Sequence, residues 1–297
     1  MQNISQNTME NILIKFKTGH KTRELIPITD FLNTDESALS NEDIRKKAAI
    51  VKLYELNEKE HLFDRFNPPP IFDLTTKISE EDKKRGKGGN YNPETNTLIV
   101  EEEQSTDLTA ATIAHELEHA KQMKGDMYQI ATGKKKISGK EKLQLKFLTE
   151  AQAFALGSYV YYKASGEDAH FMGKGDYYEQ HKESFAPVEK ILASHKNSSY
   201  KNIEGELIKA WLDILYKGET STYRNRFIEG TSLSAKDKNL DKIPTSFQLS
   251  ESTSQEILEK LKKVPIITTV EERLTKATSQ SMITASYIKS TQKDGSD

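Results

Sequence analysis

Cysteine is absent from the 297 residues of this chain. That excludes disulfides, thiolate metal ligands and cysteine nucleophiles together. It fits the cytosol, or a protein that unfolds to pass through a secretion channel. No apolar stretch approaches membrane-spanning length. Residues Met1 to Thr8 lack a basic region followed by an apolar core, so a cleavable signal peptide is not expected. Neither sign of charge dominates. The 43 Lys and Arg against 45 Asp and Glu leave a net charge of −2, which points to neither nucleic acid nor a membrane surface. A GxSxG elbow, a P-loop and a dinucleotide fingerprint are missing, and no internal repeat is visible. With 35% hydrophobic and 30% charged residues, there is enough apolar content for a core, with polar segments expected outside it. The length fits one large domain or two modest ones.

What the chain does contain is His115-Glu116-Leu117-Glu118-His119, an HExxH pattern inside a run that reads as one helix. Ser105, Thr106 and Asp107 are all residues that can cap a helix N-terminus. Leu108 to Lys124 holds neither glycine nor proline, and alanine recurs at Ala110, Ala111, Ala114 and Ala120. Gly125 stands where a left-handed C-terminal cap is wanted. Ala110, Ile113, Leu117 and Ala120 form an apolar stripe at spacings of three and four, which sends Leu117 to the core and both histidines toward a cleft. Two histidines four apart on a helix face one way, and their imidazoles can grip a single zinc ion. Glu116, beside the first of them, sits where a general base would act on the water that the metal activates. Glu118 is expected on a solvated face, with no catalytic role.

A catalytic zinc normally takes three protein ligands and leaves one position for water. Gln122 and Gly125 occupy the places where the longer HExxHxxGxxH pattern needs glycine and histidine, so a third histidine of that kind is excluded. The next helix, expected from Glu141 to Lys163, carries Leu143, Phe147, Ala151, Phe154 and Tyr161 on one face, with Glu150 on or beside it. A carboxylate aimed into an apolar layer is costly unless it is paired or bound to a metal. Glu150 is therefore the expected third ligand. Pairing of Glu150 with Lys146 is the competing expectation, and Asp176, His170 and His181 are the other third-ligand candidates.

The segment His115-Glu-Leu-Glu-His-Ala-Lys-Gln122, followed by Glu150-Ala-Gln-Ala-Phe-Ala155, resembles the HELxHAxQ…ExxAxA signature of zinc metallopeptidase domains. These domains occur in bacterial effectors, toxins and phage-related proteins and belong loosely with the gluzincins. The resemblance covers residues 85–165. It implies that His115, His119 and Glu150 bind Zn²⁺ and that Glu116 is the base. It departs from the best-known gluzincins at Phe154, where those enzymes place an aspartate that steadies a zinc histidine, so the partner fixing the imidazole tautomer is not identified.

Upstream, Gly88 to Val100 reads as strand, turn, strand, with Asn92-Pro93 and Asn96 supplying turn chemistry and Thr97 to Val100 the β-branched composition. The resemblance implies that the strand just before the HExxH helix forms the cleft rim and pairs with extended substrate, a general mode of peptide recognition. Tyr161, Tyr162, His170, Tyr177, Tyr178 and His181 all follow the third-ligand candidate and are the candidates for stabilising an oxyanion. Lys134, Lys135, Lys136 and Lys140 make a basic loop between the two site helices, expected to be solvated.

The fold class expected is α+β and mostly α-helical. Residues 1–38 form a polar segment with one strand at Ile12 to Phe16, and 39–218 form a zincin-like metallopeptidase domain. A polar helical extension over 219–267 follows, and then a poorly ordered, hydroxyl-rich tail over 268–297. Within these, Ser40 caps a helix to Glu60, and Val188 to Ala193, Ile203 to Tyr216 and Ser254 to Lys263 are helical. Trp211, the single tryptophan, faces the core. The expected activity is zinc-dependent peptide-bond hydrolysis in a protein substrate. By resemblance the chain is an effector, made in the cytoplasm of the producing cell and secreted without a signal peptide to act on a host protein. Two rivals stand beside it: a non-catalytic partner-binding protein in which the HExxH helix is structural, and a hydrolase of this fold that acts on something other than a peptide.

Overall fold

Alternating apolar positions set the first strand. Ile12, Ile14 and Phe16 are buried, while Leu13 and Lys15 between them are half-buried. The computed structural model describes residues 8–18, 21–63, 66, 68–81, 88–101, 104–167, 176–217, 227–228, 230–234 and 236–263. β1 (Leu13–Thr18) forms an antiparallel pair with β2 (Lys21–Pro27). Three further strands complete one sheet: β3 (Ile71–Asp73), β4 (Gly89–Asn92) and β5 (Thr97–Val100), in the order β2-β1-β3-β5-β4. β1, β3 and β5 are parallel, and the outer strands run against them. Lys15 Nζ donates to Asp73 Oδ2 at 2.6 Å, tying the side chains of β1 and β3.

The expected strand pair at 88–100 is present. Asn92 Oδ1 accepts from the Glu94 amide at 2.9 Å, and Asn96 takes the left-handed conformation (φ 51°) that asparagine tolerates. β5, the strand directly before the HExxH helix, is an inner strand; the sheet ends at β4. The edge on this side of the sheet is β4, not the strand expected to form the rim.

Helices cover the sheet and then one another. α1 (Ile28–Leu32) is short, and α2 (Asn41–Glu60) starts at Ser40, whose hydroxyl accepts from the Asp43 amide. α3 (Thr106–Gln122) carries HExxH and is capped by Ser105 through the Leu108 amide. α4 (Gly125–Ala131) leads to α5 (Gly139–Ala164), which opens two residues before the expected start because Ser138 and Glu141 form a reciprocal capping box. α6 (Asp176–Ser194), α7 (Tyr200–Lys217) and α8 (Glu251–Lys263) follow. The result is α+β and mostly helical, as the pattern predicts.

α3 lies between the sheet and α5, against β4 and β5 on one side and α2 and α5 on others. A Cβ on Gly157 of α5 would stand 3.2 Å from the Ala111 carbonyl and 3.5 Å from His115 Cβ, so glycine there allows the two site helices to approach closely. α7 packs on α5 through Trp211, 2% exposed and stacked on Phe154 at 4.7 Å. α8 closes onto α7 through Ile257 and Leu261, both fully buried, and the Lys260–Asp213 ion pair at 2.8 Å. Gln144 of α5 accepts from the Leu240 amide and donates to the Leu261 carbonyl, pinning the 236–263 segment.

Gly125 differs from expectation. It does adopt a left-handed φ of +50°, but as the first residue of α4; α3 ends at Gln122, and Met123 closes it by donating to the His119 carbonyl at 2.9 Å. The expected tail at 268–297 lies outside the described residues. No described helix is long and apolar enough to cross a membrane.

Candidate metal centre

The apolar stripe on α3 packs as its spacing dictates: Ala110, Ile113, Leu117 and Ala120 are all buried. One turn apart, the His115 and His119 rings then leave the helix side by side, with Nε2 atoms 3.1 Å from each other. Across from them, α5 presents Glu150, with Oε2 3.6 Å from His115 Nε2 and Oε1 3.9 Å from His119 Nε2. Side-chain exposures of 15%, 13% and 20% show a group that still meets solvent. Ligands about 2.0–2.1 Å from a tetrahedral ion stand about 3.3 Å from one another, and one ligand atom from each of the three residues can be chosen with all of them within 4.8 Å, close enough for one small cation after a modest shift. Two imidazoles and a carboxylate are also a donor set that a divalent zinc-type ion accepts. Among the described residues, these three form the metal-capable group.

The sequence left open which group orients a ligand histidine, and the structure identifies one. Gln122, fully buried and one turn beyond His119, places Oε1 3.1 Å from His119 Nδ1. Its nitrogen donates to the Thr149 carbonyl at 3.1 Å and to Gln152 Oε1 at 3.0 Å. A backbone carbonyl can only accept, so the amide nitrogen must face Thr149 and the oxygen must face the imidazole. Nδ1 is then the protonated nitrogen, and Nε2 carries the lone pair. The i,i+3 spacing of His119 and Gln122 on one helix was the signal that could have found this contact.

His115 is held differently. Phe154, in the place where an aspartate was missed, packs edge-on against the His115 ring at 4.6 Å, and its other face lies on Trp211. An aromatic stack thus braces this imidazole.

Glu116, between the two ligand histidines on α3, is 6% exposed. Gly89 of β4 lies directly against it: a Cβ built there would be 2.8 Å from both Cγ and Oε1 of Glu116. The carboxylate is therefore flanked by the outermost strand of the sheet. Gly89 was not singled out from the sequence, where it reads only as part of the strand–turn–strand segment at 88–100.

Glu118 corrects an expectation. It is 1% exposed and paired with Lys121 at 2.7 Å, not solvated. α3 is covered on nearly every side, so even its polar positions are enclosed. Of the oxyanion candidates, Tyr161 and Tyr162 sit three turns beyond Glu150 on α5, about 16 Å along the helix axis, which is too far to reach the same centre. His170 lies outside the described residues, as do the side chains of Asp176, Tyr177, Tyr178 and His181. Lys135 of the basic loop pairs with Asp126 at 2.7 Å, and Lys134 lies over the Tyr128 ring.

No curated protein and no solved structure matches the chain. Residues 67–186, which span β4, β5, both site helices and every residue of the candidate centre, match the model of the family described as "Putative metallopeptidase family (DUF6782)". The match supports a metallopeptidase, and with it a metal ion.

Proposed function

We propose that this chain is a zinc-dependent endopeptidase of the HExxH, gluzincin-like kind. The observation that carries the reading is the convergence of His115, His119 and Glu150 from two helices, with Glu116 on the adjoining helix position. Three protein donors suit a catalytic site, since structural zinc is usually closed by four.

His115 and His119 would hold the ion through Nε2 and Glu150 through a carboxylate oxygen. Zinc, when bound there, supplies a Lewis acid that polarises a carbonyl and lowers the pKa of water toward 7. Glu116 accepts the proton of the attacking water at its carboxylate and delivers it to the departing amide nitrogen. Gln122 keeps His119 in the tautomer that leaves Nε2 free to bind. β4, beside Glu116 and last in the sheet, offers main-chain groups to an extended peptide. The substrate is a protein, in keeping with the resemblance to bacterial effector domains; by that same resemblance it is a host protein reached by signal-peptide-independent secretion.

Glu116→Gln tests the reading. The zinc-loaded chain is incubated with a proteome-derived peptide library, and new termini are identified by mass spectrometry. Wild type is expected to generate them, and Glu116→Gln to generate none while retaining its zinc. Full turnover by the variant would remove Glu116 from the mechanism.

A further inference from the structure

The hydrogen bonds that orient His119 do not stop at Gln122. Gln152, two residues after Glu150 on α5 and 1% exposed, accepts from Gln122 Nε2 and donates its own nitrogen twice. One acceptor is the Phe247 carbonyl at 3.0 Å; the other is Glu204 Oε1 on α7, also at 3.0 Å. The Phe247 carbonyl fixes the Gln152 amide as the Thr149 carbonyl fixes Gln122. Donation therefore runs in one direction, from His119 Nδ1 through two amides to a carboxylate. Each member lies on a different element or a different turn: His119 and Gln122 on α3, Gln152 on α5, Glu204 on α7.

We propose that Glu204 is a positioning residue for the metal centre, acting through Gln152 and Gln122 to hold His119 with Nε2 directed at the ion. Glu204 Oε1 takes one hydrogen of the Gln152 amide and so holds that amide in one orientation. Successive bonds in an enclosed chain polarise one another, so a terminal carboxylate strengthens the bond at its far end. Each glutamine also has both amide hydrogens engaged, which prevents the rotation that would turn its nitrogen toward Nδ1. Glu204 is half-buried and reaches the chain from α7, the helix that also carries Trp211. The charged groups around it are Glu118 and Lys121 of α3 and Lys201 on its own helix.

The inference rests on the metal site proposed above, and its test keeps the two apart. Zinc affinity is measured by competition with a chromophoric chelator in wild type, Glu204→Leu, Gln152→Leu, the double variant and Glu204→Gln. Loss of a group that orients a ligand typically weakens metal binding by about 10–100-fold; one and two bonds further out, about tenfold is expected for Gln152→Leu and about threefold to tenfold for Glu204→Leu. The double variant should be no weaker than Gln152→Leu, because both sever one chain. Glu204→Gln keeps an acceptor oxygen and should recover most of the affinity. Wild-type affinity in Glu204→Leu, losses that multiply in the double variant, or a Glu204→Gln as weak as Glu204→Leu would each overturn the relay. Nitrogen-15 spectra of histidine in the metal-free protein decide it independently of zinc. His119 should be protonated at Nδ1 in wild type and lose that preference in Glu204→Leu; an even tautomer mixture in wild type would overturn the relay. Failure of wild type to take up zinc would instead overturn the metal site alone.

Discussion

Replacing Gly89 by alanine would put a methyl carbon 2.8 Å from Glu116 Cγ, Glu116 Oε1 and Thr112 Cγ2. Ordinary contacts begin near 3.4 Å, so these atoms must recede by several tenths of an ångström. Two of them belong to the proposed base. The third is on a β-branched side chain, stiff at χ1, and Thr112 is further held by its hydrogen bond to Gln104 at 2.9 Å. The φ of Gly89 is one that any residue adopts, so the constraint is space and not backbone strain. Overpacking of this kind costs about 1–3 kcal/mol, which for a chain of this size lowers the melting temperature by about 2–6 °C. Because the cheapest relief is displacement of Glu116, turnover should fall by more than stability suggests. A misplacement approaching 1 Å at a catalytic group costs up to about 100-fold, and a tenfold to hundredfold loss is expected here. The assay pairs thermal melts with kcat on a fluorogenic peptide built on a cleavage site from the library, and bound zinc is measured in parallel and should not change. Gly88→Ala is the comparison: its new carbon meets the end of the Gln104 side chain and leaves Glu116 untouched, so it loosens Thr112 without displacing the proposed base. A Gly89→Ala protein with wild-type kcat and melting temperature would refute the placement of Glu116 against β4.

Two further outcomes are expected. Gly157→Val would press a branched side chain on the Ala111 carbonyl, 3.2 Å from the first carbon alone, and push α5 from α3; a loss of about 1–3 kcal/mol in chemical denaturation should accompany weaker zinc binding, since His115 and Glu150 sit on the two separated helices. Burial pushes the Glu204 carboxyl up to about 7, so the folded chain binds this proton more tightly than the unfolded one. The stability it contributes is complete below the unfolded value near pH 4.5 and is lost as pH rises toward 7. The loss is at most about 3 kcal/mol, less what solvent at this half-buried group screens, and urea melts at pH 5 and 7.5 should show it in wild type and not in Glu204→Gln.

The site helices were legible because their signals are local. Ser105 and Ser40 cap where a short polar residue meets an apolar period, and HExxH needs only one helix to bring its histidines together. Glu150 was legible for a different reason: a carboxylate between Phe147 and Phe154 demands a partner. What the sequence hid depends on residues far apart along the chain. The parallel pairing of β1 with β3, and with it the entry of Met9, Ile12, Ile14 and Phe16 into the same core as the site helices, has no local signature. Gln122 read as the wrong residue for a longer motif and as the last position of the resembling signature, with no contact assigned to it, though its amide orients His119. Glu118 was misplaced because helical periodicity describes a helix with one solvated face, and α3 has nearly none. Gly89 and Glu204 matter only through what lies across from them.

The measurement that tests the central claim most directly is tightly bound zinc per chain, in wild type, in Glu150→Ala and in the His115→Ala/His119→Ala double variant. One zinc in wild type, lost in both variants with the fold retained by circular dichroism, is the predicted result. Zinc retained in Glu150→Ala would contradict the three-ligand centre, and no zinc in wild type after reconstitution would contradict a metal-dependent hydrolase altogether.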